Sequence, residues 1–249
     1  MTPPLFAIIT ATYNAGSTIE RTLASVDSQT FGDYEHLIVD GLSADDTLDI
    51  VNRHPSERRR VISERDRGLY DAMNKGIGNT TGQYLIFLNA GDKFHSPDTL
   101  RLIAEAIKGN DSPGIVYGQT DIVDDSGAYI GPRHLTAPEE LTLKSFADGM
   151  LVCHQAFIAL RRIVGFYNMK YRFSADYEWC IRCLQHSRKN VGLTDSVLID
   201  YLSEGLTTRN HRASLIERFK IMSYYYGFFP TLLRHLSFAV RAWKRKKMQ

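Results

Sequence analysis

Apolar runs of strand length alternate with segments of helical periodicity through the N-terminal part of the chain. This repeated order of strand and helix predicts an α/β fold, in which a mostly parallel central sheet is flanked by helices. Right-handed crossovers would place the carboxyl ends of the strands along one edge of the sheet. We expect strands at 5–13, 34–41, 60–64 and 84–89 and helices at 18–29, 46–54 and 68–78.

The second half of the chain is less regular, and neither an internal repeat nor a linker rich in Pro, Gly or Ser interrupts it. We therefore expect one continuous domain over residues 1–227, followed by a helical tail over residues 228–249. Within the domain, residues 1–110 should bind one ligand and residues 111–227 should complete a cleft for another. Further strands are expected near 114–123, 154–162 and 196–202, and further helices near 176–185 and 212–226.

The most informative segment is YLIFLNAGD, residues 84–92. Its apolar run is too continuous for a half-exposed strand and too short for a typical helix, so it predicts a central strand covered on both faces. Ligands bind beyond the carboxyl ends of such strands, where Asp92 would lie. Because Mg²⁺ and Mn²⁺ prefer oxygen ligands, Asp92 is a candidate metal ligand. The alternative is an Asp in a turn that caps a helix beginning near Pro97.

Charge is distributed unevenly along the chain. The net charge is +2, yet eight Lys or Arg and no Asp or Glu occur from Arg218 onward, so residues 1–217 carry 22 basic against 28 acidic residues, a net charge of −6. Such a basic helix can lie on an anionic membrane surface, whereas a packed final helix whose cations complement its dipole is the alternative. One helical face of the tail carries Leu232, Leu236, Ala239, Val240 and Trp243.

Other features of the composition restrict the location and chemistry of the protein. No apolar run approaches the roughly 18 residues of a spanning helix, and the N-terminal segment lacks the basic leader of a signal peptide. We expect a cytoplasmic protein whose tail associates peripherally with the inner face of the cell membrane. Nucleic acid is not an expected partner, because the basic residues belong to no recognisable binding module.

Three cysteines, Cys153, Cys180 and Cys183, offer no disulfide framework. Cys180 and Cys183 form a CxxC sequence within a segment of helical spacing, and the chain has no second CxxC. A structural role for buried thiols is therefore favoured over a redox or zinc site.

Five polar segments follow predicted strands or open predicted helices: TATYN, VDGLSADDT, ERDRGLYDAMNKG, LNAGD and FSADYEW. The order and the spacing of these segments resemble those of the inverting nucleotide-sugar glycosyltransferases of family 2, over about residues 5–210. It is most similar to bacterial members that build cell-surface polysaccharides. The resemblance implies a GT-A fold with a mostly parallel central sheet, a nucleotide-sugar-binding half over residues 1–110 and an acceptor-side half over residues 111–227.

The resemblance implies donor contacts at the ends of the first two strands. Thr10, Tyr13 and Asn14 match the end of the family's first strand, and Asp40 matches the acidic position after the second strand. An ionised carboxylate offers only hydrogen-bond acceptors, so Asp40 is suited to accept a hydrogen bond from a uracil N–H group. Capping of the helix that begins near Asp46 is the alternative role for Asp40.

Further donor contacts are implied in ERDRGLYDAMNKG. Asp66 and Gly68 match an acidic residue and a glycine of the family, and Asp66 is expected near the base or the ribose. Asn74 and Lys75 lie on the following helix and turn. Lys75 would meet a phosphate as a point charge, or Asn74 and Lys75 would organise the turn into Gly76.

LNAGD occupies the place of the family's metal-binding acidic motif, and it departs from that motif. Asn89 replaces the first acid and Gly91 the next, which leaves Asp92 as the only carboxylate. The resemblance implies that Mg²⁺ or Mn²⁺ binds through Asp92, the donor diphosphate and water, beside Asn89, with weak affinity in the free enzyme. The cation would neutralise charge that develops on the leaving nucleoside diphosphate.

Asp176, in FSADYEW, matches the family's catalytic acid. A carboxylate within hydrogen-bond reach of the acceptor hydroxyl could take its proton as the oxygen attacks the anomeric carbon, and a single displacement would invert the anomeric configuration. The alternative for Asp176 is an N-cap of the following helix. His154 corresponds to a position that lines the acceptor or diphosphate side in similar enzymes, although a lone His is as often structural. Trp179 could stack on a sugar or belong to the core.

The leading hypothesis is an inverting glycosyltransferase that moves a hexosyl or N-acetylhexosaminyl group from a nucleotide donor, expected to be UDP-linked. The acceptor would be a glycan or a polyprenyl-diphosphate-linked saccharide in cell-surface polysaccharide biosynthesis. The depleted acidic motif keeps a second hypothesis open, a noncatalytic nucleotide-sugar-binding or scaffold subunit of a glycan assembly complex. A third, nucleotidyl transfer, would require a glycine-rich, basic triphosphate loop, which is not evident in the sequence.

Overall fold

The computed structural model describes residues 2–203 and 210–246, so the last three residues of the expected tail lie outside the described residues. The strands are β1 (Phe6–Thr12), β2 (Tyr34–Asp40), β3 (Arg59–Ser63), β4 (Tyr84–Phe87), β5 (Lys93–Phe94), β6 (Ile115–Val123), β7 (Tyr129–Pro132), β8 (Phe157–Leu160) and β9 (Asn190–Leu202). The helices are α1 (Ile19–Asp27), α2 (Thr47–Arg53), α3 (Leu69–Gly78), α4 (Thr99–Gly109), α5 (Ala175–His186), α6 (His211–Tyr226) and α7 (Phe228–Lys246).

All of these strands join one sheet, in the order β3-β2-β1-β4-β8-β6-β9-β5, with β7 paired to β6. The expected α/β class with flanking helices and helical tail is confirmed, and β1 to β4 pair in parallel as expected. Strand β8 runs antiparallel to both β4 and β6, and β9 runs parallel to β6. Because β8 is antiparallel to both of its neighbours, β6 runs in the same direction as β4. The carboxyl ends of β1, β4, β6 and β9 therefore lie at the same edge of this mixed sheet.

The core lies against the central strands. Residues Tyr84 to Leu88 are all nearly or fully buried, which confirms the expected central strand covered on both faces. Its position follows from its neighbours, because β1 and β8 protect its two edges while helices cover its faces. Helix α3 approaches the sheet closely at Gly76, where a Cβ would lie 2.3 Å from the side chain of Ile9.

The three cysteines are buried free thiols, as expected, and burial raises the pKa of each one. Within the described ranges, no helix combines the length and the apolar composition needed to cross a membrane.

A polar network under the sheet edge contains His36 of β2. Its Nε2 lies 3.0 Å from the Thr10 hydroxyl, which donates to the Leu88 carbonyl at 2.7 Å. The Nδ1 of His36 accepts from the Nε–H of Arg59 at 3.2 Å, and this contact assigns the ring proton to Nε2. Burial, assisted by the charge of Arg59, lowers the pKa of His36 to about 3.

We predict that this network makes the protein less stable in acid. The unfolded His36 titrates near pH 6.5, so between pH 6.5 and about 3 the unfolded state binds a proton that the folded state rejects, and the free energy of unfolding falls as pH falls. His36→Gln should flatten this slope by up to about 1.4 kcal/mol per pH unit, measured by urea unfolding between pH 7 and 5. His186→Gln, on the surface of α5, is the control and should keep the wild-type slope. Equal slopes for wild type and His36→Gln would contradict the prediction.

Candidate active site

A cavity of about 950 Å³ opens at the edge where β1, β4, β6 and β9 end. Both halves of the chain form its wall, because residues after β1 and β4 face residues from α5, α6 and the end of β9. Seven residues predicted from the sequence line this cavity: Tyr13, Asp66, Gly68, Asn89, Asp92, His154 and Asp176.

One side of the cavity is formed by the segments that follow β1 and precede α3. Tyr13 is 64% exposed, and its ring covers the entrance near Gly41. The Oδ1 of Asp66 accepts from the N–H of Gly68 at 2.8 Å, which holds a glycine with a φ of +114° just before α3. A Cβ on Gly41 would lie 2.5 Å from the Oδ2 of Asp66. The carboxylate of Asp66 and the ring of Tyr13 therefore pack against the bare backbone of Gly41.

Two buried oxygen atoms in the cavity wall have no hydrogen-bond partner among the described residues: the Thr12 Oγ1 and the Asn89 Oδ1. Buried polar atoms in folded proteins are almost always paired. Both residues line the cavity, so a ligand that offers hydrogen-bond donors or a cation would satisfy them.

The turn from Asn89 to Asp92 aims a carboxylate at the floor of the cavity. The N–H of Asp92 donates to the Asn89 carbonyl at 3.0 Å, and Gly91 adopts a φ of +99°. Asp92 is 3% exposed, and its Oδ1 accepts from the N–H of Leu202 at 3.0 Å while its Oδ2 accepts from the amide of Gln155 at 2.8 Å. Burial raises the pKa of Asp92 to about 7. The alternative of a helix cap is wrong for Asp92, because α4 begins at Thr99 after Asp98.

The chemistry of this turn fits a hard divalent cation. Asn89 contributes an amide oxygen without a partner, and Asp92 contributes the carboxylate. Oxygen ligands of this kind are those that Mg²⁺ and Mn²⁺ prefer.

A second group that could hold a metal ion consists of His95, Asp121 and Asp200. Asp121 and Asp200 directly precede the cavity-lining Ile122 and Tyr201 on paired strands, so their side chains lie on the opposite face of the sheet. The ammonium of Lys93 already pairs with Asp200 at 3.0 Å. This group is therefore separate from the cavity.

Asp176 lies in the first turn of α5 and lines the cavity together with the Asn89–Asp92 turn. The N-cap residue of α5 is Ser174, so the alternative of an N-cap is wrong for Asp176. Its Oδ1 accepts from the hydroxyl of Tyr70 at 3.0 Å. Burial raises the pKa of Tyr70 well above its ordinary value, so the phenol keeps its proton and holds one carboxylate oxygen. The other oxygen, Oδ2, accepts no hydrogen bond from the described part of the chain.

His154 forms a neutral part of the wall. Its Nε2 hydrogen-bonds with the hydroxyl of Tyr167 at 2.6 Å, and its ring stacks on Phe87 at 4.9 Å. Burial lowers the pKa of His154 to about 4, so the imidazole carries no charge near neutral pH. Trp179 is fully buried and donates to the Gly165 carbonyl at 2.8 Å, which makes it a core residue rather than a platform for a sugar.

Five other predicted residues lie outside the cavity lining. Thr10 is fully buried in the network with His36, and Asp40 is fully buried beneath the Ser63 hydroxyl, which donates to it at 2.7 Å. The side-chain oxygen of Asn14 accepts from the N–H of Ala44 at 2.8 Å. These three side chains lie outside the cavity lining and bond neighbouring strands and loops.

Asn74 and Lys75 also act behind the wall. The amide of Asn74 bonds both the N–H and the carbonyl of Tyr167, at 2.6 and 3.1 Å. The ammonium of Lys75 donates to the Arg65 carbonyl at 2.7 Å and pairs with Glu64 at 3.0 Å. Neither side chain organises a turn into Gly76, because α3 continues to Gly78; both hold neighbouring segments instead.

Sequence reasoning missed several cavity residues. Thr12 follows Thr10 by two positions on β1, yet the pattern singled out Thr10. Tyr70 was part of a predicted helix, and no local spacing connects it to Asp176, which follows 106 residues later. Arg172 and Arg218 also line the cavity, and their only sequence signal was a basic character shared with the rest of the C-terminal part.

Comparison with known proteins gives consistent results. The family model described as Glycosyl transferase family 2 matches residues 7–164. A PGL/p-HBAD biosynthesis glycosyltransferase of Mycobacterium bovis is 36% identical over 192 residues, which cover 75% of this chain and 72% of the relative.

Solved structures show the same fold at low sequence identity. S. aureus TarS 1–349 in complex with UDP-GlcNAc is similar with a TM-score of 0.75 and 18% identity, over 94% of this chain and 73% of that chain. The mannosyltransferase PcManGT from Pyrobaculum calidifontis, in complex with GDP-Man and Mn²⁺, has a TM-score of 0.60 and 19% identity, over 97% of this chain and 65% of that chain. With the family match over more than half of its length, the chain belongs to glycosyltransferase family 2.

Proposed function

We propose that the protein is an inverting glycosyltransferase that transfers a hexosyl or N-acetylhexosaminyl group from a UDP-sugar to a glycan or a polyprenyl-diphosphate-linked saccharide in cell-surface polysaccharide biosynthesis. One observation carries the proposal: Asp176 from the second half and the Asn89–Asp92 turn from the first half line the same cavity. TarS, which is similar in fold, has been crystallised with UDP-GlcNAc, and this supports the choice of donor.

Residues 1–110 would bind the donor. Tyr13 and Asp66, which line the cavity and pack against Gly41, would contact the nucleobase, and the unpartnered oxygens of Thr12 and Asn89 would receive polar groups of the nucleotide sugar. Asp92 and Asn89 would hold Mg²⁺ or Mn²⁺, which, when bound, supplies positive charge against the leaving diphosphate.

Residues 111–227 would bind the acceptor and move its proton. The Tyr70 hydroxyl fixes one oxygen of Asp176, and the other oxygen would accept the proton of the acceptor hydroxyl as that hydroxyl attacks the anomeric carbon. The bond between the anomeric carbon and the phosphate oxygen breaks, and its electron pair leaves with the nucleoside diphosphate. Because the attack comes from the face opposite the leaving group, the anomeric configuration inverts.

A noncatalytic nucleotide-sugar-binding subunit is the second candidate function. It is favoured by one observation, that both oxygens of the lone carboxylate Asp92 already accept hydrogen bonds from the protein. Such a subunit would bind UDP and would transfer no sugar to any acceptor. Measurement of sugar transfer therefore separates the two candidate functions.

We predict that Asp176→Asn lowers the rate of transfer roughly 10²–10⁴-fold, the usual effect of losing a general base, without weakening UDP binding. The measurement is UDP release from a panel of UDP-sugars with glycan and lipid-linked acceptors, together with UDP titration by calorimetry. Asp195→Asn, on the exposed part of β9, is the control and should turn over at the wild-type rate. UDP binding with no turnover in the wild-type protein would favour the noncatalytic subunit.

We predict that Asp92→Asn removes the enhancement of UDP affinity by Mn²⁺, because the amide lacks the negative charge that a hard cation requires. UDP titration with and without Mn²⁺ measures this effect. Asp121→Asn is the matched control, since it removes a carboxylate from the group on the opposite face of the sheet. Loss of the enhancement in Asp121→Asn and its retention in Asp92→Asn would assign the metal to that other group.

We further propose that α7 rests on an anionic membrane, which would bring the enzyme to lipid-linked acceptors. Phe229, Leu233 and Leu236 are 76%, 68% and 58% exposed, and with Leu232 they form one apolar stripe. No acidic residue occurs from Arg218 onward, and the chain there carries eight basic residues. An apolar stripe on a helix with a basic flank has the composition of an interfacial helix, and the absence of acids favours anionic lipids as its partner.

We predict that the double substitution Leu233→Ser and Leu236→Ser weakens binding to anionic vesicles at least about tenfold, since burial of each leucine contributes about 1.5–3 kcal/mol. Flotation with vesicles of phosphatidylglycerol measures it, and higher salt should weaken wild-type binding. The control is Ile130→Ser, which removes an equally exposed apolar side chain from β7. Equal flotation of all three proteins would exclude the stripe as the membrane contact.

A further inference from the structure

Two guanidinium groups in the wall of the cavity have no anionic partner within the part of the chain that the structure describes. Arg172 and Arg218 both line the cavity. The Nε of Arg218 is buried without a hydrogen-bond acceptor, and the guanidinium of Arg172 lies 5.6 Å from the centre of the Phe173 ring. Arg172 is exposed, whereas the unpartnered Nε of the half-buried Arg218 is unfavourable unless a ligand supplies an acceptor.

The nearest acid in the sequence cannot supply that charge. The two carboxylate oxygens of Glu217 accept the backbone N–H groups of Arg172 and Phe173, each at 2.8 Å. The hydroxyl of Ser214, on the same face of α6, lies 3.0 Å from the hydroxyl of Ser174. Helix α6 thus clamps the segment that leads into α5, and both guanidinium groups remain available to the cavity.

Arg133 shows what a purely structural arginine looks like in the same cavity. Its guanidinium donates to the carbonyl groups of Leu135, Met150 and Leu151 at 2.7–3.1 Å. Its donors are thereby used to hold the loop before β8. Arg172 and Arg218 make no comparable set of bonds in the described residues, so a structural role of this kind does not account for them.

The position of Arg218 connects it to the acceptor side of the reaction. Its guanidinium lies 6.0 Å from the centre of the Tyr177 ring, which directly follows Asp176. Burial raises the pKa of Tyr70, and the charge of Arg218 opposes that shift, so Arg218 also lies near the Tyr70–Asp176 hydrogen bond. The other polar groups suited to the donor diphosphate, Asn89 and Asp92, belong to a different segment of the lining, the turn after β4.

We propose that Arg172 and Arg218 bind a phosphate group carried by the acceptor, next to the hydroxyl that Asp176 deprotonates. Guanidinium groups bind phosphate through two parallel hydrogen bonds, which fix both its distance and its orientation. The inference rests on the proposed function and narrows its acceptor to a phosphorylated saccharide, such as a sugar joined through its phosphate to a lipid. A neutral glycan would leave the half-buried guanidinium of Arg218 without an anionic partner.

The experiment uses the full chain saturated with UDP, so that the donor site is filled. Glucose 1-phosphate is the probe, glucose and inorganic phosphate are the comparison ligands, and thermal shift and calorimetry measure binding. Wild-type protein should bind glucose 1-phosphate in the presence of UDP and should bind glucose far more weakly. Arg218→Gln should weaken binding of glucose 1-phosphate roughly 10- to 100-fold, as expected for a lost charged hydrogen bond.

Two further variants keep the test independent of folding. Arg172→Gln changes an exposed side chain, so this variant should fold normally. Like Arg218→Gln, it should weaken the binding of glucose 1-phosphate. Lys220→Gln removes an exposed charge of the same sign from α6, outside the cavity lining, and should bind the probe as the wild-type protein does.

The outcomes separate this inference from the proposed function. Unchanged affinity of both arginine variants for glucose 1-phosphate overturns the acceptor site. Equal affinity of the wild-type protein for inorganic phosphate and for glucose 1-phosphate also overturns it, because the sugar would then contribute nothing to binding. Weaker UDP binding in Arg218→Gln, with unchanged probe binding, assigns the arginine to the donor diphosphate and also overturns it. In each of these cases UDP binding and transfer by the wild-type protein leave the proposed function standing, whereas a wild-type protein that binds no UDP overturns both.

Discussion

The carboxylate of Asp92 joins three segments that are far apart in the sequence. It lies in the turn after β4, and it accepts hydrogen bonds from Leu202 at the end of β9 and from Gln155 before β8. Hydrogen bonds to a charged group contribute about 1.5–3 kcal/mol each, and here they connect the first half of the sheet to the second. The shape of the cavity depends on this connection, because residues of both halves form its wall.

The same arrangement holds a single carboxylate in the turn without a neighbouring acid. In an extended acidic motif, neighbouring carboxylates repel one another and need a cation to remain close. Asn89 avoids this repulsion by offering a neutral oxygen, and the protein's own N–H groups hold Asp92 in place. The turn is therefore formed before any ligand arrives, at the cost of a buried carboxyl whose ionised form burial disfavours. A cation near Asp92 would offset that cost.

The order of the elements and the position of the site could be predicted from the sequence, since both depend on patterns repeated over many residues. The apolar run from Tyr84 to Leu88 specified a central strand, and the polar segments after the strands specified the edge of the sheet. The direction of individual side chains could not be predicted in the same way. Asp40 occupies the expected place in the chain, yet its carboxylate bonds Ser43 and Ser63. The contact between Tyr70 and Asp176 depends on packing between distant helices, which no local pattern encodes.

The division between lining and supporting residues matters for changing what the protein recognises. Asn74 holds the backbone of Tyr167, which in turn bonds His154 in the cavity wall. Directed evolution for a new sugar would gain little from varying such supporting positions, because each substitution there would first disturb a wall residue that is almost fully buried. Libraries built on Tyr13 and His134, which line the cavity, would sample new shapes while the supporting layer keeps the scaffold intact.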